Sequence, residues 1–429
     1  LSSKKVIIIG AGHNGLICAS ILAEHGFDVT VVEKREKIGG LTDTYEIGGI
    51  KLSRASYVLG LMPKFLINKF RIPTISLDPV EVIYYKNKIV IPLWKDESKR
   101  LRAMIDIGEE RYPELERKIF EFKKLLYEKF TFVSKPPSED IVFEEASKFG
   151  LEDFITKTTY QFLKEHISEE LIDYFVYPSL LDSPAYVMAY IFSLDWLLVS
   201  GGMGKIAERI YEYAKNKGVK FLLNHAAIDF KFKESKIKQV ITDKRTLDAD
   251  IVVSAMSPLS LFKILNYNII TLKNARWKKY NFVLKEYPRF PLNLKPYSYS
   301  LITTSVGEIV FPSLMDQQRD GIVLEFMGNL KELYKIFPDL EEKIIFVDGL
   351  DASKAIETYG IPFGYLDHLP MKHPFLFDNR PSKDFNYTTP IENLYQCSVG
   401  TYPGGQVSGV QGYNVANLIV SKYKKLDQF

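Results

Sequence analysis

The residues of this chain best placed to do chemistry are the glycines of Gly10-Ala11-Gly12-His13-Asn14-Gly15, between the apolar run Val6 to Ile9 and a helical stretch from Leu16 to His25. Gly10 permits a tight turn out of a strand, Gly12 lets backbone approach a pyrophosphate, and Gly15 lets helix and strand pack closely. A phosphate in that turn meets free N–H groups at the helix start. Glu33 ends a second apolar run, Val29 to Val32. A carboxylate there accepts hydrogen bonds from ribose hydroxyls and argues against a 2′-phosphate. Strand, turn, helix and acidic residue together form a dinucleotide-binding βαβ unit.

The next residues narrow the ligand. Lys34-Arg35-Glu36-Lys37-Ile38-Gly39-Gly40-Leu41 puts a glycine pair just past the second strand, where backbone must pass close to the same ligand. That extension points to FAD rather than to a plain NAD site.

Composition removes other classes. The chain has 429 residues, 46% of them hydrophobic, enough for a large core and two or three domains. The net charge of +3 comes from 56 basic and 53 acidic residues spread throughout, so no nucleic-acid footprint is visible. Cys18 and Cys397 are the only cysteines, far apart and without a CxxC, which removes the thiol–disulfide flavoenzymes. The six histidines lack HxxxH or HExxH spacing, so no metal site is expected. With no signal-peptide pattern and no apolar run of about 20 residues, a cytoplasmic location is the expectation, with peripheral membrane contact left open.

The elements that must position the site come in pieces. Leu115, Ile119, Phe122 and Leu126 recur at helical spacing. Further helices are expected over 138–149, 151–163, 168–174 and 185–198. Gly201-Gly202-Met203-Gly204 opens a helix over 206–217 and reads as the return of the chain to the first domain, not as a second phosphate cradle. Ala249 to Ala255 is a buried strand ending in small residues, which let a ligand come close. Strand-like pieces fill 280–347, and a glycine-rich loop from Gly400 opens a closing helix over 407–423. The expected architecture is α/β: an FAD-binding domain from 1–70, 196–260 and 384–429, and a substrate domain from 71–195 and 261–383.

The chain resembles the FAD-dependent phytoene-dehydrogenase-like oxidoreductases of the amine oxidase and carotenoid desaturase superfamily. Within them it is similar to the group of pyridine nucleotide-disulfide oxidoreductase domain-containing protein 2. The carrying residues are Gly10 to Leu16, Ile38-Gly39-Gly40, Ser53 to Tyr57, Gly201 to Gly204, Pro312 to Asp316, Arg380-Pro381, Leu394-Tyr395, and Tyr402-Pro403-Gly404-Gly405 through Gly409, Gly412 and Asn414. The resemblance implies a glutathione-reductase-type, Rossmann-like FAD domain with an interrupted α+β substrate domain. Gly10, Ala11, Gly12, His13, Asn14 and Gly15 would take the pyrophosphate, and Glu33 the adenosine ribose, with Lys34 and Arg35 at the rim. Gly39, Gly40, Leu41 and Thr42 would run along the middle of the cofactor. Ala227 would flank the adenine, Ala255 and Met256 would line its path, and Gly400 would approach the pyrophosphate and ribityl region. The helix from Val407 and Ser408 would aim its positive end at the flavin, favouring a reduced, anionic ring. The family often has His where this chain has Tyr402, and Gly where it has Gln406.

No nucleophile–base pair stands out, and hydride transfer to a flavin needs none. By the resemblance, Arg54, Ser56 and Tyr57 would wall the flavin face; read alone, the same stretch is a structural strand. Lys279 and Tyr280 precede a strand and could enter the pocket as proton donors, but Lys278 and Lys279 read first as a solvated pair; the aromatic stretch 174–198 reads first as core, and otherwise as the wall of a tunnel for a long apolar substrate or a contact with a membrane surface. The expected activity is desaturation, dehydrogenation or isomerisation of an isoprenoid or lipid-like molecule. The alternatives are an oxygen-using amine oxidase and a flavin-retaining regulator without turnover.

Overall fold

The computed structural model describes residues 3–268, 270–305 and 307–424. Its first sheet is parallel, in the order Leu394–Gln396, Ile251–Ser254, Lys5–Ile9, Asp28–Glu33, Lys220–Leu223. Side chains alternate across it with period two. Val6 and Ile8 face a core shared with the helices His13–Glu24, Gly204–Asn216 and Val410–Lys424. Ile7 and Ile9 face Phe230, Ile237 and Val240 of an antiparallel meander, Ala227–Lys233, Lys236–Thr242 and Thr246–Asp248. Both faces are covered, which is why the first strand reads as an unbroken apolar run.

The second sheet has seven strands, in the order Ile344–Asp351, Lys278–Leu284, Ile322–Gly328, Gly307–Val310, Leu301–Thr304, Glu81–Tyr85, Ile89–Leu93. Its own core holds Phe282, Ile302, Ile309, Leu324 and Phe326. The helices between residues 97 and 191 belong to the larger core with the first sheet. Helix Tyr112–Leu126 buries Leu115, Ile119, Phe122 and Leu126, the stripe read from spacing.

Some expected helices are shorter. The 151–163 stretch breaks into Asp153–Thr156 and Thr159–Lys164, because Thr158 leaves helical geometry to form a capping box with Gln161. The 185–198 stretch is a helix only over Ala185–Ile191 and ends as the strand Leu197–Val199, paired with Thr74–Ser76. The closing helix begins at Val410, not Val407, after Gly409 at φ +74°.

The turn at Gly201 is clasped by Asp316 and by the hairpin of strands Thr44–Ile47 and Ile50–Ser53. Gly201 N donates to Asp316 Oδ2 (2.7 Å), Met203 N to Ser53 Oγ (3.2 Å) and Gly204 N to Thr44 Oγ1 (2.7 Å). Lys279 corrects its expectation: it is buried, with Nζ on Glu325 at 3.1 Å and on the Ser53 carbonyl, while Arg319 holds the other Glu325 oxygen at 2.6 Å. Burial pushes the Lys279 ammonium down to about 8. The register sends Lys279 to the inner face, which the Lys-Lys pattern conceals. Cys18 and Cys397, remote in sequence, are buried beside one another as free thiols.

Candidate functional site

A cavity of about 1500 Å³ runs from the glycine turn to the seven-stranded sheet. Gly10, at φ +107°, turns the chain out of the first strand, and a Cβ on Gly15 would collide with the Gly10 carbonyl oxygen. Gly12 differs, since a Cβ there meets nothing within 4 Å: its empty side is the cavity itself. The Gly39-Gly40 segment lies alongside, with Gly39 N donating to the Ala11 carbonyl at 2.9 Å. Glu33, buried at the end of its strand, accepts from Ala11 N at 2.8 Å and from Arg35 N at 2.9 Å, one amide on each carboxylate oxygen. Each oxygen retains acceptor capacity toward the cavity.

The fit to FAD is tested by the polar atoms the protein leaves unsatisfied. Arg35 Nη1, His225 Nε2, His13 Nε2, Asn14 Nδ2, Ser257 Oγ and His368 Nδ1 are buried without a partner, and all six residues line this cavity. Buried polar groups are rarely left unpaired, so such a set marks a polar ligand. Burial lowers His13 to about 4 and His368 to about 3, so both rings are neutral near neutral pH. An adenosine, a pyrophosphate and a flavin offer donors and acceptors along such a track, and the residues present fit the group.

The residues expected at the cofactor divide. Gly10, Gly12, His13, Asn14, Gly15, Glu33, Lys34, Arg35, Gly39, Gly40, Leu41, Thr42, Ala227, Ala255, Met256 and Val407 line the cavity, as do Ser56 and Tyr57. Four are placed otherwise. Ala11 is buried behind the turn and acts through its amide on Glu33. Arg54 turns away to Asp43 (3.6 Å) and Asp348 (3.4 Å), stacked 3.8 Å from the Tyr45 ring. Asp43 also takes Arg35 (2.9 Å) and Lys37 (2.7 Å), so charge pairing, not a cofactor, fixes Arg54. Gly400 is glycine because a Cβ would collide with Pro258. The Ser408 hydroxyl is spent on Gln411 Oε1 at 3.2 Å and on the amide of Val410, the first helical residue.

The far end of the cavity holds groups that sequence reasoning missed. Tyr177 donates to Glu308 Oε2 at 2.6 Å, Tyr57 donates to the same oxygen, and Thr303 Oγ1 donates to Glu81 at 2.6 Å. Burial pushes Glu308 above the usual carboxylate range and Glu81 up to about 7. Both glutamates sit at or next to the start of a short strand, where a polar residue ordinarily faces water, so no local signal marked them. Residues 173–180, 182 and 183, with Val187, Ile191, Phe192 and Trp196, line the cavity, and Tyr174, Val176 and Val187 among them also belong to the main core.

Comparison with known proteins follows this division. The model of an NAD(P)-binding Rossmann-like domain matches residues 8–64. A 1-hydroxycarotenoid 3,4-desaturase from Flavobacterium sp. (strain P99-3) is 25% identical over 308 residues, 64% of this chain and 61% of that one. The chain thus spans about three fifths of that relative. The mouse pyridine nucleotide-disulfide oxidoreductase domain-containing protein 2 is 51% identical, but over 57 residues, 13% of this chain and 10% of its own length. The solved structure of cyclohexylamine oxidase from Brevibacterium oxydans IH-35A superposes over 98% of this chain and 100% of its own, with a TM-score of 0.65 at 18% identity. A dinucleotide turn, an unsatisfied polar track and these likenesses converge on a Rossmann-like cofactor-binding fold, and the chain is similar to carotenoid desaturases in sequence and to amine oxidases in fold.

Proposed function

We propose that this protein is an FAD-dependent oxidoreductase of the phytoene-dehydrogenase-like type that removes hydrogen from, or isomerises, an apolar molecule held at the inner end of the cavity. The observation that carries the reading is the continuity of one cavity, polar and unsatisfied around Gly12 and Glu33, walled by Val187, Ile191, Phe192, Trp196, Leu301 and Met327 farther in. FAD, when bound, supplies a two-electron acceptor for hydride at N5. The chain's own residues bind and orient: Gly12 leaves room, Glu33 and the unpartnered donors hold the adenosine and pyrophosphate, and the apolar wall excludes water from the reacting carbon.

Among the described residues, no helix is long and apolar enough to cross a membrane. The reading includes a peripheral contact with a lipid surface, supported by exposed rings. Phe65, Tyr127 and Phe132 are exposed and pack edge to face, and Phe120, two helical turns from Tyr127, touches the cavity-lining Phe192.

The test is the absorbance of the purified protein at the flavin bands, followed by extraction of co-purifying lipid and anaerobic mixing with isoprenoids, amines or NAD(P)H. Bleaching by an isoprenoid above the free-flavin rate supports the reading. Peroxide release with an amine would mark an oxygen-using amine oxidase instead. Tight flavin that none of these bleaches would mark a regulator without turnover.

A further inference from the structure

Removing hydrogen from an apolar molecule breaks two C–H bonds. One gives up a hydride, whose electron pair goes to the two-electron acceptor already named; the other leaves its electron pair behind as the new C=C bond and gives up a proton. Hydride transfer needs no base, but that proton does, since the apolar wall keeps water from the reacting carbons. Of the carboxylates lining the cavity, Asp173 and Asp182 are exposed, Glu33 is committed to two backbone amides, and Asp367 accepts from Gln406 N at 3.0 Å. The histidines lining it lie at the cofactor end, His225 beside Glu33 and His368 beside His13. Glu81 and Glu308 remain.

Both stand on one face of the seven-stranded sheet. Thr303 lies opposite Glu308 and Leu301 opposite Glu81, and Thr303 and Leu301 share a face of the strand between them. The two carboxylates are held differently. Tyr57 and Tyr177 both donate to Glu308 Oε2, and two phenol donors favour its ionised form. Glu81 has one hydroxyl, Thr303 on Oε1 at 2.6 Å, and its Oε2 meets no donor among the described residues. No cation among them pairs with either carboxylate. Burial raises both, and the Glu308 charge raises Glu81 further, to about 7. Such a pair divides the work, one carboxylate staying ionised while the other takes a proton.

We propose that Glu81 is the proton acceptor of the substrate chamber, its Oε2 forming an O–H bond as the second C–H bond breaks, with Glu308 as the ionised partner held by Tyr57 and Tyr177. The inference rests on the reading of this cavity as the chamber in which an apolar molecule is dehydrogenated, and it adds the residue that completes the proton balance. An apolar chain lying along Leu301 and Met327 passes next to Glu81, which Leu301 faces across the strands. Taking the proton turns an enclosed carboxylate into a neutral acid, so the step creates no buried charge.

The test has two arms, both on the flavin-loaded protein. In the infrared spectrum, a protonated carboxyl band that shifts in D2O is expected to disappear as pH rises through about 7. It is expected to be absent in Glu81→Gln and to disappear at lower pH in Glu308→Gln, where the neighbouring charge is gone. The groups facing Glu81 are Thr303 and Glu308, the Tyr57 and Tyr177 phenols on Glu308, and the Tyr112 phenol, which is committed to Glu116. Lys279, lowered to about 8, is spent on Glu325 behind the Tyr57 ring. The step assigned to Glu81 is therefore the one that Glu81→Gln removes. In the second arm, anaerobic bleaching of the flavin by phytoene is expected to speed up as pH rises through the same midpoint. Glu81→Gln slows it by about a hundredfold or more and abolishes the pH step, and Glu81→Asp, which keeps a carboxyl, restores part of the rate. A Glu81→Gln rate within about threefold of the unaltered protein overturns the proposal, as does a pH step or a carboxyl band that survives in that variant. Failure of the functional reading is a separate result: no isoprenoid then bleaches the unaltered protein, while the infrared arm, which needs no turnover, still decides whether Glu81 is the titrating acid of the chamber.

Discussion

Glu33 Oε2 accepts a hydrogen bond from the Ala11 amide at 2.8 Å, so the residue read as a ribose ligand is also the strut that holds the glycine turn against the second strand. Replacing Glu33 with Ala removes the acceptors of the buried Ala11 amide and the half-buried Arg35 amide, as well as an acceptor for a ribose. The expected loss is about 1 to 3 kcal/mol in chain stability, from the unsatisfied Ala11 and Arg35 amides, and a further drop in FAD retention. Urea unfolding of the apoprotein reads the first effect and flavin content after dialysis the second. Unchanged values in both would remove Glu33 from the site.

Gly12 and Gly15 separate cofactor space from packing space. Gly15→Ala drives a methyl into the Gly10 carbonyl and is expected to destabilise the fold by about 1 to 3 kcal/mol. Gly12 has ordinary extended backbone, φ −73°, and open space around its missing Cβ, so Gly12→Ala leaves the melting temperature of the apoprotein nearly unchanged. The methyl occupies the approach to the pyrophosphate, so FAD affinity falls about tenfold or more. A Gly12→Ala protein that keeps its flavin on dialysis contradicts the placement.

Glu81 gives stability a pH dependence. Its folded value is raised to about 7 from 4.5, so its contribution is full below about pH 4.5 and is lost as pH rises through 7. The lost contribution is up to about 3 kcal/mol, an upper bound because Glu81 also faces the solvated cavity. Glu81→Gln lacks this loss and gains on the unaltered protein between pH 5 and 8. Parallel stability curves for the two proteins over that range would show that Glu81 titrates normally.

Lys279 and Glu325 join the second sheet to the 44–53 hairpin. Removing one partner of a buried pair strands the other, so Lys279→Met is expected to cost about 3 kcal/mol, read as a lowered urea midpoint. Arg319 keeps one Glu325 oxygen neutralised, which holds the cost at the lower end of the range. The double change Lys279→Met with Glu325→Gln is expected to recover part of it. A double variant no better than the single one places the role of Lys279 in its bond to the Ser53 carbonyl instead.

By itself, the sequence determined what is local. The turn from Gly10 to Gly15, the strand ending at Glu33 and the Gly39-Gly40 extension name a dinucleotide site, because spacing along a few tens of residues fixes their geometry. The amphipathic stripe of Leu115 to Leu126 names its helix for the same reason. Tertiary structure alone decided what depends on strand register and on partners remote in the chain. Arg54 and Tyr57 are three residues apart, yet one is drawn out to Asp43 and Asp348 while the other enters the cavity. Lys279 looks like half of a solvated pair until six cross-strand partnerships with Ile322–Gly328 turn it inward onto Glu325. Glu81 and Glu308 lie more than 200 residues apart and become neighbours only because Leu301–Thr304 runs between them. The cofactor end of the site was therefore legible, being written in one stretch of chain. The end against the seven-stranded sheet was not, because a carboxylate near the start of a short strand looks the same facing water or facing a buried chamber.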